Sequence, residues 1–146
     1  MSAAVRASRL LAATVIVLVG MIPACLPQPS DVMWVRKAVT EDGSLTVWWR
    51  VAGERDELPD SDPFDLEVLV QSAEGKPAHV LLEVDAEMPH HGHGMNVRPV
   101  VERTGPGRFI VKGVLLHMSG RWELAFDLGD PDGIQWRRAQ CTVEAP

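Results

Sequence analysis

Glycine and proline punctuate this chain at near-regular intervals, and between those marks no segment sustains a helical period. Asp42-Gly43, Glu74-Gly75-Lys76-Pro77, Gly105-Pro106-Gly107 and Asp130-Pro131-Asp132-Gly133 each separate two short runs that are alternating or β-branched. These are turns with a mechanism, since Gly supplies positive φ and Pro fixes its own. The runs between them predict strands at Trp34–Val39, Leu45–Val51, Phe64–Gln71, His79–Asp85, Val97–Arg103, Arg108–Val114, Arg121–Leu128 and Gln135–Val143. Seven or eight short antiparallel strands in roughly 110 residues predict an all-β, immunoglobulin-like sandwich.

Alternation also assigns faces. Trp122, Leu124, Phe126 and Leu128 fall on one side of their strand, the core side, and Glu123 and Asp127 on the other. The chain has 5 Trp, 3 Phe and no Tyr, so tryptophan must carry most aromatic burial. Trp48 and Trp49 are adjacent and must point to opposite faces of one strand.

The N-terminus does not belong to that sandwich. Arg6 and Arg9 precede an uncharged apolar run, Leu10 to Ile22, that ends at Pro23-Ala24-Cys25. A basic start, a short apolar stretch and a small residue describe a secretory signal helix over residues 1–24. Residues 25–32, with Pro27 and Pro29, read as a tether, and 33–146 as the folded domain. The chain is thus expected to be exported, as a periplasmic protein or a membrane-anchored lipoprotein. Cys25 stands where a bacterial lipoprotein carries its lipidated cysteine, and a lipid there would be the only membrane contact. Cys25 and Cys141 are the only cysteines, so a disulfide between them is the rival reading, and a buried free thiol at Cys141 a third. The net charge of −6 argues against nucleic acid as a partner, and the more so without Arg6 and Arg9.

The chemistry is concentrated in two loops. Met88-Pro89-His90-His91-Gly92-His93-Gly94-Met95 holds three of the 5 histidines between two methionines, and Leu115-Leu116-His117-Met118-Ser119-Gly120 lies just before the Trp122 strand. Thioether sulfur and neutral imidazole suit Cu(I), whereas Mg²⁺ and Ca²⁺ want oxygen and structural Zn²⁺ usually recruits thiolate. If the loops meet at one end of the sandwich, the donors are Met88, His91, His93, Met95, His117 and Met118. Histidine also suits Cu(II) and Zn²⁺, so the oxidation state and the metal stay open. The structural alternative is that these side chains merely pack, with His117 and Met118 sealing the sandwich end beneath Trp122. Imidazole binds metal only when neutral, so such a site is expected to weaken below about pH 6.

The same residues carry a resemblance. From Phe64 to Val143 the chain resembles the YtkA-like family of exported bacterial domains, related to the FixH proteins. The matching residues include Phe64, Gly75, Ala86, Met88-Pro89, His91-Gly92-His93-Gly94-Met95, Pro99, Gly105, Gly107, His117-Met118, Gly120 and Trp122-Glu123-Leu124. The resemblance implies a copper-chaperone-like immunoglobulin sandwich that handles copper outside the cytoplasm. Its implied partners are an exported cuproprotein or an oxidase-assembly factor. It places the ligands at Met88, His91, His93 and Met95, with His117 and Met118 opposite. The chain departs from the PCu(A)C chaperones, whose second half-site is His-x-Met. His117 and Met118 are adjacent, which puts at least one of them in doubt. With no Ser/His/Asp or Cys/His constellation, no phosphate loop and no blue-copper set, the expected function is non-enzymatic Cu(I) storage or delivery. The alternative is a metal-free module that docks an exported redox or respiratory protein.

Overall fold

The computed structural model describes residue 34 and residues 36–53 and 56–146. The signal segment, the tether and Cys25 lie outside the described residues.

Among the described residues nine strands form in order: β1 (Arg36–Val39), β2 (Leu45–Val51), β3 (Phe64–Ser72), β4 (Leu81–Met88), β5 (His93–Gly94), β6 (Val100–Gly105), β7 (Arg108–Val114), β8 (Gly120–Gly129) and β9 (Trp136–Ala145). They make two antiparallel sheets, β1-β2-β3-β7-β6 and β5-β4-β8-β9. Setting aside β1, the first sheet has the ABED order of an immunoglobulin domain, and β4, β8 and β9 take the places of C, F and G. The all-β sandwich expected from the sequence is therefore the fold, with one strand more than the seven or eight anticipated. The addition is β5, two residues long, within the loop that carries His90, His91 and His93.

The inner faces supply the core. Trp49, Leu66, Val70, Val111, Trp122, Phe126 and Leu128 are buried, and the Trp49 and Phe126 rings meet across the layers at 6.1 Å. Trp48, one residue from Trp49, is half-buried on the outer face. At about 1.5–3 kcal/mol per large apolar side chain, this alternation is the main stabilising term. One lateral side is closed by a bridge from Thr40, at the end of β1, to Ala139 of β9.

Strand ends shift where the backbone demands it. The strand expected from Val97 begins at Val100 instead, because Pro99 has no N–H to give a ladder. The fourth strand, expected to end at Asp85, runs on through Ala86 and Glu87 to Met88. Ala86 and Met88 continue the inward alternation of Leu82 and Val84.

Cys141 sits on β9 opposite Leu124, and among the described residues it has no disulfide partner. Burial pushes its thiol pKa up, partly offset by the Trp49 indole N–H beside it.

Candidate functional site

The two His/Met loops do meet at one end of the sandwich. Met88 ends β4 with its side chain buried, and its carbonyl accepts hydrogen bonds from the amides of both His91 and Gly92, at 3.0 Å each. That tight turn needs positive φ at Gly92, which adopts +64°. The chain then returns antiparallel, setting His93 opposite Met88. Directly opposed residues share a face, so His93 is sent to the same side as Met88, toward the sandwich interior.

The second loop arrives from the other sheet. It crosses from the end of β7 at Val114 to the start of β8 at Gly120, with Leu116 buried beneath it. Trp122 anchors the crossing: its ring is fully buried and its Nε1–H donates to the Met118 carbonyl at 2.9 Å. The His117 ring stands edge-on to the indole, with centroids 5.4 Å apart. A Cβ on Gly120 would lie 3.2 Å from Met88 Cε, so the thioether end of Met88 reaches the start of β8.

These contacts line three imidazoles into a chain. The His91 and His93 centroids are 6.4 Å apart with nearly parallel rings, and those of His93 and His117 are 6.5 Å apart and nearly perpendicular. His91 and His93 are exposed and free to turn, whereas His117 is half-buried and held by Trp122. His117 Nδ1 is buried and, among the described residues, has no hydrogen-bond partner. An unpaired buried polar atom costs about 1–3 kcal/mol and calls for a cause.

Two bonds of about 2.0–2.1 Å from imidazole nitrogens to one ion set ring centroids roughly 5 Å apart at a tetrahedral angle and roughly 6.3 Å apart when the ion is two-coordinate and linear. The pairs at 6.4 and 6.5 Å therefore reach at most the linear limit. Accordingly, among the described residues no three His, Cys, Asp or Glu side chains converge on one position. Rotation of exposed His91 and His93 about χ1 and χ2 is what would bring nitrogen donors together over His117 and Met88.

The remaining expected donors are placed differently. Met95 donates its amide to Ala86 O and packs against the core beside Val97 and Val101, in a groove that contains no histidine. Met118 is pinned by its carbonyl and its side chain is exposed, while His117 turns inward. The adjacency of 117 and 118 thus has the divergent outcome anticipated for neighbouring residues. His90 is exposed at the tip of the turn, and His79 is exposed ahead of the opposite end of β4. Trp122, read from the sequence only as core, is also the platform that orients His117. The spacing of His117, Gly120 and Trp122 was the available signal for it.

No family model matches the chain, and no curated protein matches it. A solved structure to which it is similar is a DUF4426 family protein from Pseudomonas aeruginosa PAO1. The two share 15% identity over 70% of this chain and 90% of that one, with a TM-score of 0.43.

Proposed function

We propose that this protein binds Cu(I) outside the cytoplasm and stores it or passes it to an exported cuproprotein or oxidase-assembly factor. The observation that carries this reading is the meeting of His93 and His117 from separate loops, with a partnerless buried Nδ1 on His117. Soft thioether and imidazole donors without carboxylates or thiolates favour Cu(I) over harder ions. His91, His93 and His117 are the nitrogen donors, Met88 the sulfur donor nearest them, and Met95 and Met118 supporting residues. The export half of the proposal rests on the basic-apolar N-terminal pattern and on Cys25 as a lipid-anchor position. Nothing in the residue set supplies a nucleophile with its base, so we assign no catalysis.

Titration of the tag-free full chain with Cu(I) against a chromophoric chelator tests the proposal. One-to-one binding is expected, and the His91→Ala/His93→Ala double variant should weaken it at least 100-fold. Absence of any competition by the wild-type chain would sink the copper reading.

A second reading draws on the lack, among the described residues, of a preassembled cluster of three His, Cys, Asp or Glu side chains. In it the His-rich hairpin is a metal-free docking surface for an exported redox protein. Metal analysis of tag-free protein separates the two, since the docking reading requires none bound.

A further inference from the structure

Among the described residues, the sandwich is closed along one side and open along the other. Bridge Thr40–Ala139 joins β1 to β9, but β4 is covered by β5 only at Glu87 and Met88, with Met95 N–H adding a bond to Ala86 O. Alternation along an antiparallel strand fixes where the remaining groups point. Ala86 bonds toward β5, so the N–H and C=O groups of Val84 and Leu82 face that same side, where no strand is present. The side chain of Asp85 accepts from Ala86 N at 2.8 Å, ending the covered stretch. An edge of this kind templates pairing with another chain.

A groove runs beside this edge. One part, about 510 Å³, is lined by Glu83, Val84, Asp85, Met95, Val97 and Val101 among others. A second, about 360 Å³, is lined by Leu81, Leu82, Arg103, Phe109 and Trp136 and shares Glu83 and Val101 with the first. The two adjoin along β4 at Glu83. On the outer face, Glu83, Asp85 and Glu87 are all exposed, and Glu83 and Glu87 lie opposite Asp127 and Glu123 of β8. Like charges facing each other across a ladder are destabilising; Arg138 bonds Asp127 at 2.7 Å and is also felt by Asp85 and Glu87, which leaves one cation among five carboxylates.

We propose that the open edge of β4 binds an extended segment of another protein in which basic and apolar side chains alternate. Backbone groups of Leu82 and Val84 would supply the ladder bonds. Side chains opposite Glu83 and Asp85 share their outer face and are matched by Lys or Arg. Those opposite Leu82 and Val84 turn inward, against Met95 and Val101, and the ladder ends before Val80, whose carbonyl accepts from Arg103 where that side chain covers the Phe109 ring. A second copy of this chain is a poor occupant, because pairing β4 with β4 sets carboxylates against carboxylates. The proposal is independent of the copper site.

The test uses the full chain and an alternating valine–lysine hexapeptide, with an alternating valine–glutamate peptide as control. Two further peptides carry N-methyl groups on every second amide, one in each register. The readout is hydrogen exchange at the Leu82 and Val84 amides. Both are expected to exchange quickly in the free protein and at least tenfold more slowly with the valine–lysine peptide. The acidic peptide and one N-methylated register should have no effect, and Glu83→Lys should weaken the basic peptide at least fivefold. Three results would overturn the proposal: no slowing, slowing that survives N-methylation in both registers, or slowing that depends on protein concentration without peptide.

Discussion

At the scale of single residues, two positions hold turns in place by different physics. Gly107 adopts φ +64°, and a Cβ there would lie 2.5 Å from Val70 O and 3.1 Å from Ala78 N. Its own carbonyl accepts the Val70 amide at 2.7 Å, so the turn cannot back away without losing that bond. Gly107→Ala is expected to destabilise the fold by roughly 2–4 kcal/mol, measured by urea denaturation. Gly43 has φ +70° but nothing within 4 Å of a Cβ, so Gly43→Asn, a residue that tolerates this conformation, should change the midpoint little. Asp42 is held by charge and hydrogen bonds instead. The buried Thr40 hydroxyl donates to its carboxylate at 2.7 Å, Ser44 donates through both amide and hydroxyl, and Arg137 lies at 3.2 Å. These donors, Thr40 first, hold the carboxyl well below the usual carboxylate range. A carboxyl depressed in the folded state stabilises it above the unfolded pKa, near 4, and that stabilisation is lost as pH falls further. Asp42→Asn should therefore lower the melting temperature at pH 7 and flatten its decline below about pH 4, as thermal scans across pH would read.

At the scale of elements, the strands with clean alternation were legible and the short or interrupted ones were not. Leu45–Val51 has the bounds expected of it, because it is bordered by turn residues and alternates throughout; Arg108–Val114 also has them, although its alternation breaks at Gly113. β5 has no period to detect in two residues. It forms because the Met88 carbonyl captures two loop amides and Gly92 turns the chain back. Its consequence for the candidate site is that His93 stands opposite Met88. The crossing from β7 to β8 depends on one side chain. Trp122→Phe keeps an aromatic ring in the core but removes the N–H that holds Met118 O. The expected cost is about 1–2 kcal/mol by chemical denaturation. If His117 serves as a copper donor, the same variant should also weaken Cu(I) binding, though less than His93→Ala does, because the imidazole survives but loses its platform.

At the scale of the whole molecule, the two ends and two sides of the sandwich are unlike one another. One end gathers His91, His93, His117 and the end of Met88, and one side leaves the edge of β4 uncovered. A ligand that joins the β4–β5 hairpin to the β7–β8 crossing ties together segments that arrive from different sheets. Cu(I) at 100 times its dissociation constant would then stabilise the folded state by about 2.7 kcal/mol. A melting temperature that rises with Cu(I) in the wild-type chain but not in the His91→Ala/His93→Ala variant is the expected outcome of calorimetry.

The amino-acid sequence by itself determined the fold class, the principal turns, the face of each regular strand, and which soft side chains are candidates for the site. These follow from local rules: residue alternation, backbone restriction at Gly and Pro, and ligand chemistry. Only the tertiary structure decided which donors meet. Met88, His93 and His117 come together through a strand register and a crossover, whereas Met95 is drawn into the groove beside β4 and Met118 is turned outward. The unpaired edge of β4 is likewise a property of the sheet order. Spacing along a chain specifies which side of a strand a residue takes, but not which neighbour stands there, because pairing is settled by contacts between residues far apart in sequence.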